Sequence, residues 1–397
     1  MPANWLDNLQ KLAGELREDL SRGGRLVLIG ADGPTEIDAY RGYGNDHRVL
    51  IQGRVMRSQG IGKSSETDGT IRNLLNTYKR VRAHPIPAAR IEVSIGGARH
   101  EVAADAEGFF RAWVDLPAPI PVTEPWVSAG LRLISPREDS KEVTATARIR
   151  IPTPDVTFGV ISDLDDTVIQ SRVSNFLLAV RTLMLGNART RLPFPGVMEL
   201  YRALERGGDG ARRNPIYYVS SSPWNIHDLI AEFLELQGIP DGPICLRDWD
   251  IEVDALASSR LKRHKEPLIR EILDTNPRLS FILIGDTSQR DPEIYREIVH
   301  AYPGRILAIY IRNVEPNPER SAAVQELAAE VLKAGSTLVL ADDSAAAAKH
   351  AVEQGWITAD SMPAVQAEKR ADEGKTDEKA ATPGGGDDEG APTVVVE

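Results

Sequence analysis

The sequence predicts an α/β protein: a parallel sheet with helices on both faces, preceded by a mainly-β sandwich domain. Three observations carry this. Up to about residue 152, apolar and polar residues alternate, as Val143, Ala145, Ala147, Ile149 and Ile151 do with Thr144, Thr146, Arg148 and Arg150. A period of two marks a strand with one buried face. From 153 the pattern changes to continuous apolar runs at 158–162, 216–219, 281–284 and 306–311, with helical stretches between them such as 226–237 and 266–274. Buried strands alternating with helices imply a parallel sheet covered on both sides. At 397 residues the chain is long enough for two full cores.

The elements follow in order. In residues 1–24, Trp5, Leu9, Leu12, Leu16 and Leu20 share one helical face, opposite Asp7, Lys11, Glu15, Arg17, Glu18 and Asp19. This N-terminal amphipathic helix suits packing on its own domain or on a partner, because a membrane-surface helix favours a basic polar face. Residues 25–152 form the sandwich-like domain, with strands at 48–55 and 90–95 and a turn at Asp105–Gly108 ahead of Phe109, Phe110 and Trp113. One stretch within it, 70–82, reads as helix. Residues 153–357 form the parallel-sheet domain. Thr337–Ala341 adds an edge strand, and the Asp342–Asp343 pair after it caps a helix beginning near Ala345. Residues 358–397 read as a disordered acidic tail: 360–397 holds ten acidic and four basic residues, a net of −6 out of the chain's −11.

Composition narrows the function. The content of 42% hydrophobic and 26% charged residues is that of a soluble globular protein. One cysteine, Cys245, excludes an intramolecular disulfide framework and reads as a small buried apolar residue. With a start that lacks a basic and apolar leader, this suits a reducing, cytoplasmic compartment. No run approaches the ~18 apolar residues of a spanning helix. The acidic balance argues against general nucleic-acid binding.

The chemistry concentrates at strand ends. Residues 158–167 read Phe-Gly-Val-Ile-Ser-Asp-Leu-Asp-Asp-Thr, so Asp163 and Asp165 stand two apart, with Thr167 two further on. A buried pair of like charges is costly unless a cation or a shared proton offsets the repulsion. Three later segments have the same character. Ile216-Tyr-Tyr-Val-Ser220 ends in a hydroxyl, Lys265 opens a helix, and Phe281-Ile-Leu-Ile-Gly-Asp286 ends in a carboxylate with Asp291 five residues later. In a parallel sheet these polar ends converge on one rim, where ligands bind. Singly, Asp165 and Asp286 are also readable as helix caps, Lys265 as a surface cation, Ser220 as a turn residue and Asp291 as the cap of a helix from Pro292.

Taken in order, D-x-D-x-T, strand-Ser, Lys and G-D-x-x-x-x-D resemble the signature of the haloacid dehalogenase (HAD) phosphatase superfamily, over roughly 155–315. More closely, Ile161-Ser-Asp-Leu-Asp-Asp-Thr-Val, Tyr218-Val-Ser-Ser-Ser-Pro-Trp, Gly285-Asp-Thr-Ser-Gln-Arg-Asp-Pro-Glu-Ile-Tyr295 and Ile309-Tyr-Ile-Arg-Asn-Val314 resemble the catalytic domain of the actin-patch phosphatidate phosphatases and their bacterial relatives. The upstream Gly42–Gly44 segment is similar as well. Thr287-Ser288 stands where that family is expected to carry Ser-Gly, with both carboxylates kept.

The resemblance implies a HAD-like Rossmannoid sheet and a site of defined roles. Asp163 is the nucleophile that becomes an aspartyl phosphate, and Asp165 the acid and then base. Lys265 and Ser220 hold phosphate oxygens, and Thr167 joins that phosphate-binding group by orienting Asp163. Asp163, Asp286 and Asp291, with the backbone carbonyl of Asp165, bind Mg2+, which suits a hard all-oxygen set.

Superfamily members often insert a cap that encloses small substrates. The interval from Thr167 to Ser220 is about fifty residues and that from Ser220 to Lys265 shorter, so neither holds a large cap beyond the sheet's own helices. An open site favours a large or surface-bound substrate. Residues 176–194, with Leu183 and Met184 ahead of Arg189 and Arg191, read either as a contact with a bilayer and its anionic headgroups or as a helical flap packed on the core or a second subunit. Basic residues Arg72, Lys79, Arg80 and Arg82 offer a second headgroup contact or a solvated helix face. Three functions follow. The first is a Mg2+-dependent phosphatidate phosphatase, cytoplasmic and peripheral at the membrane, releasing diacylglycerol and phosphate. The second is a phosphatase of the same mechanism on another phosphomonoester: a soluble metabolite, a phosphoprotein or a nucleic-acid end. The third is an adaptor that binds a protein partner through its β domain and tail.

Overall fold

The structure, a computed structural model, describes residues 33–57, 84–137, 142–164, 167–168, 196–247, 264–314, 317–370 and 394–395. The expected helix in 1–24, the stretch 70–82, Asp165, and Leu183, Met184, Arg189 and Arg191 lie outside the described residues. Among those described, the first compact unit runs to Ile151 and takes in Asn225–Leu236; the second begins at Pro152 and holds the rest.

The first unit is built from β1 (Thr35–Ala39), β2 (Gly42–Gly44), β3 (Arg48–Arg57), β4 (Arg90–Ile95), β5 (Ala98–Ala103), β6 (Phe109–Asp115), β7 (Trp126–Ser135) and β8 (Thr144–Arg150). The expected turn before Phe109 is present: Asp105 Oδ1 accepts from the amides of Glu107 and Phe109 at 2.9 and 2.8 Å, and Gly108 supplies a positive φ of 78°. The alternation read in β8 holds as far as Ile149, with Ala147 and Ile149 buried and Thr144, Thr146 and Arg148 exposed; Arg150, expected on the polar face, is buried, its guanidinium donating to the Pro125 carbonyl at 3.0 Å.

The strands of the expected sandwich-like domain form one continuous eight-stranded sheet, in the order β1-β3-β2-β8-β7-β4-β5 with β6 on the other edge of β3. The ten residues of β3 explain this, because they are enough to pair with β1 and β2 along one edge and β6 along the other. The sheet curls over its own core. One cluster contains Ile51, Phe110 and Val114 from β3 and β6, and also Val93, Ile95 and Val102 from β4 and β5 at the far end of the strand order.

The second unit is α/β. Its strands are β9 (Phe158–Asp163), β10 (Ile216–Pro223), β11 (Ile244–Arg247), β12 (Ser280–Asp286), β13 (Ile306–Arg312), β14 (Thr337–Ala341) and β15 (Val394–Val395). They lie in the order β11-β10-β9-β12-β13-β14-β15. Every pair is parallel except β14 with β15. Helices flank the sheet: α1 (Val197–Arg206), α3 (Lys265–Thr275), α4 (Asp291–Ala301), α5 (Pro318–Lys333) and α6 (Ser344–Glu353), with α2 (His227–Leu236) assigned to the first unit. Strand order runs backwards through β9, β10 and β11 and forwards through β12, β13 and β14. The reversal falls between β9 and β12, the place where open parallel sheets leave a crevice for ligands.

Asp343 caps α6 as expected, accepting from the amides of Ala345 and Ala346 at 2.8 and 3.0 Å. Residues 358–370, expected to belong to a disordered acidic tail, are ordered. Residues 359–361 form a 3-10 turn and 362–370 a helix. Ile357 and Val365 are buried, and Glu368 accepts from the Glu199 amide at the start of α1 at 2.9 Å. Two apolar anchors and a cap order this stretch, whose acids Asp360 and Glu368 are balanced by Lys369 and Arg370. No helix among the described residues is long and apolar enough to cross a membrane.

Candidate active site

β9 is buried along its whole length, which suits a central strand reading Phe-Gly-Val-Ile-Ser-Asp. Its last residue, Asp163, lies opposite Val219 of β10. On the other side β9 is paired with β12, whose last residue is Asp286. The two carboxylates therefore stand on adjacent strands across the reversal point. Asp291 joins them from the first residue of α4. The three acids each offer a carboxylate oxygen, and these oxygens lie within 4.8 Å of one another.

Lys265, the first residue of α3, enters this cluster almost fully buried. Its Nζ lies 2.8 Å from Asp163 Oδ1 and 2.7 Å from Asp291 Oδ1. Burial opposes the ammonium charge, but the carboxylates of Asp163 and Asp291 outweigh it and hold the Lys265 pKa above its ordinary value. Lys265 pairs with two of the three acids, and the guanidinium groups of Arg312 and Arg320 add positive charge felt by Asp286. The Asp291 pKa is pushed up to about 6: burial raises it most, Lys265 lowers it, and the neighbouring Asp286 charge raises it. An all-oxygen, anionic set of three buried carboxylates fits a hard divalent cation.

The acids are held from several sides. Asp286 Oδ1 accepts from the amides of Ser288 and Gln289 at 2.6 and 3.2 Å and from the Ser288 hydroxyl. The Thr167 hydroxyl lies 3.4 Å from Asp163 Oδ2 and 3.2 Å from Asp286 Oδ2, so it bridges the two carboxylates. Asp291 does not cap its own helix. Its Oδ2 turns back to accept from the Asp286 amide at 3.3 Å. Behind the strand, Ser162 Oγ donates to the Asp163 carbonyl at 2.7 Å and shares a hydrogen bond of 2.5 Å with the buried Tyr201 hydroxyl.

The structure thus brings together Asp163, Thr167, Lys265, Asp286 and Asp291. Ser220 is fully buried one residue beyond Val219, and its hydroxyl accepts from the Ser222 amide at 3.0 Å. β10 does not end at Ser220; it continues to Pro223. Sequence reasoning gave no role to Ser162, Tyr201, Gly285 or Ser288. The Ser288 position was visible only as a departure from the family's Ser-Gly.

Comparison with known proteins places the resemblance on the same segment. Residues 158–313 match the family model described as phosphatidate phosphatase APP1, catalytic domain. The chain is 31% identical over 156 residues to phosphatidate phosphatase APP1 of Saccharomyces cerevisiae, covering 39% of this chain and 25% of that protein. It is 27% identical over 220 residues to an uncharacterised protein of Schizosaccharomyces pombe, covering 55% of this chain and 35% of that one. The chain therefore spans about a third or less of these curated relatives. Among solved structures, a carbohydrate acetylesterase of Xanthomonas citri covers 75% of this chain and 74% of its own at 13% identity and a TM-score of 0.25, too remote to inform fold or function.

Proposed function

We propose, from the match of residues 158–313 to the family model of the phosphatidate phosphatase APP1 catalytic domain, that the chain belongs to that family and is a Mg2+-dependent phosphomonoester hydrolase whose substrate is phosphatidate. The observation that carries the reading is the buried cluster of Asp163, Asp286 and Asp291 around Lys265 at the carboxyl ends of parallel strands. Stable phosphate monoesters need a nucleophile in line, a proton for the leaving oxygen and fixed positive charge.

In this reading Asp163 is the nucleophile. A carboxylate oxygen attacks phosphorus as the bond from phosphorus to the glycerol oxygen breaks, giving an aspartyl phosphate. Asp165, two residues on, gives its proton to the departing alkoxide, which leaves as diacylglycerol. It then takes a proton from the water that attacks phosphorus, and this second displacement releases inorganic phosphate and restores Asp163. Lys265 fixes Asp163 through Oδ1, and Thr167 steadies Oδ2. Lys265 and Ser220 supply the phosphate oxygens with a cation and a hydroxyl donor. Asp163, Asp286 and Asp291, with the backbone carbonyl of Asp165, would hold Mg2+. Bound there, the ion supplies charge that relieves repulsion between nucleophile and phosphate. A phosphatidate substrate implies work at a membrane surface from the cytoplasmic side, with Leu183, Met184, Arg189 and Arg191 as the contact with lipid and a protein partner for the β domain.

The test is phosphate release from phosphatidylcholine vesicles carrying phosphatidate, compared with short soluble monoesters, each with Mg2+ and with a chelator. We expect Mg2+-dependent release, greater from vesicles, and a loss confined to vesicles when Leu183 and Met184 are both changed to Asp. Equal loss on both substrates identifies 176–194 as a structural flap. Faster turnover of soluble monoesters overturns the lipid assignment and favours another phosphomonoester.

A further inference from the structure

Two of the three clustered carboxylates, Asp286 and Asp291, are joined by only four residues, Thr287 to Arg290. The shape of that loop decides whether both acids point into one site. Part of it is held locally: Asp286 accepts from two loop amides, and Thr287 is bonded to the end of β13, its amide to the Arg312 carbonyl at 2.9 Å and its hydroxyl to Val314 at 3.1 and 3.0 Å. The loop carbonyls of Thr287 and Gln289 face the other way, and they meet a single side chain. Arg320 Nε donates to Thr287 O at 3.0 Å, and its Nη2 to Gln289 O at 2.7 Å. The same guanidinium pairs with Glu293 in the first turn of α4, through Nη1 to Oε1 and through Nη2 to Oε2 at 3.1 Å.

We propose that Arg320 is a positioning residue for the carboxylate cluster, strapping the Asp286–Asp291 loop to the start of α5 so that both acids converge on one cation. This rests on the metal-dependent reading above. Two carbonyls, two residues apart, and a carboxylate beyond them match the planar fork of an arginine; a lysine offers a single point of donation. The placement also runs against local preference. Arg320 is in the first turn of α5, where the helix end is already positive and where Asn317 and Pro318 set the start. A cation there is disfavoured by the helix dipole, so the contacts to Glu293 and the loop must outweigh that cost. Arg320 lies beyond the family match at 158–313, although its guanidinium bonds are to Thr287, Gln289 and Glu293, which lie within it.

Mg2+ binding measured by calorimetry, without substrate, tests this on the full chain. Wild type, Asp286→Asn, Arg320→Ala, Arg320→Lys and Glu293→Gln are titrated, and each variant's thermal unfolding is recorded. We expect wild type to bind and Asp286→Asn to lose binding. Arg320→Ala should bind about tenfold more weakly, as when residues that orient metal ligands are removed. Arg320→Lys should not restore affinity, because the fork is lost while the charge is kept. A purely structural Arg320 predicts a lower melting temperature with unchanged Mg2+ affinity, and that result overturns the proposal. Should Arg320→Ala fail to fold, wild-type affinity in both Arg320→Lys and Glu293→Gln overturns it equally. Absence of binding in wild type, or full binding in Asp286→Asn, would instead sink the metal-site reading itself.

Discussion

Gly285 has no side chain because Asp291 stands where one would be. A Cβ at position 285 would lie 2.6 Å from Asp291 Oδ2, 2.7 Å from its Cβ and 2.9 Å from the Tyr295 ring. Asp291 opens a helix and Tyr295 is bonded to the Ile284 carbonyl at 2.9 Å, so neither yields easily. Gly285→Ala should therefore displace Asp291 from Lys265 and Asp286. Overpacking of this kind costs about 1–3 kcal/mol. The expected result is a modest fall in melting temperature together with about tenfold weaker Mg2+ dependence of turnover. Wild-type Mg2+ dependence would show that the close approach is not needed.

Lys265 is the cation that two buried acids share, so its removal should be felt in stability before chemistry. Breaking a buried ion pair from one side typically costs about 3–5 kcal/mol. Lys265→Met should lower stability by that order in the presence of a chelator, and added Mg2+ should recover more of it than in wild type. Combining it with Asp163→Asn should return much of the stability and none of the activity. Denaturant unfolding with and without Mg2+ reads all of these. An equal response to Mg2+ in wild type and Lys265→Met would contradict the shared-charge account.

Acid should destabilise the first unit through His227. The ring is buried and stacked on Tyr40 at 3.7 Å. Burial pushes its pKa down to about 3; Asp38 opposes that shift and Arg41 adds to it. An unfolded histidine titrates near ~6.5. Between those values the unfolded chain binds more protons, so stability is fully present above about pH 6.5 and is lost as pH falls towards about 3. The loss reaches on the order of 5 kcal/mol by linkage. His227→Asn should flatten the stability curve across that window. Unfolding followed from pH 7 to 4 measures it, and an identical slope in the variant would assign the acid sensitivity elsewhere.

The parts of this molecule that could be read in the sequence are those whose cause is local. Central parallel strands are buried on both faces, so Phe158–Ile161, Phe281–Ile284 and Ile306–Ile311 announce themselves as apolar runs. The Asp343 cap is equally local. β11 is only four residues, Ile-Cys-Leu-Arg, too short to give a period. The single curled sheet of the first unit depends on which strands pair, and periodicity carries no pairing. At the site, the acids and Lys265 were visible as a motif. Arg320 meets the loop through the carbonyls of Thr287 and Gln289, and Ser288 and Gln289 hold Asp286 through their amides; backbone groups are the same at every position and leave no mark on composition. Gly285 was visible as a letter in the motif, but its reason required the position of Asp291.

The sharpest test of the nucleophile uses the tension between charge and stability. Asp163→Asn keeps the shape of the side chain and removes one negative charge from a cluster with three acids and one lysine. The amide oxygen can still accept from Lys265, which also keeps its contact with Asp291. An amide cannot displace an alkoxide from phosphorus, so turnover should fall by about 10^4 or more, to the level that binding and charge alone support. Stability without Mg2+ should stay level or rise, because a charge cluster arranged for catalysis costs folding energy. Phosphate release and thermal unfolding in chelator, measured on the same preparation, give both quantities. A variant that is inactive and no less stable places Asp163 in the chemistry. Substantial turnover by a folded Asp163→Asn protein would assign the nucleophile to another residue, and inactivity with a large loss of stability would make Asp163 a structural partner of Lys265.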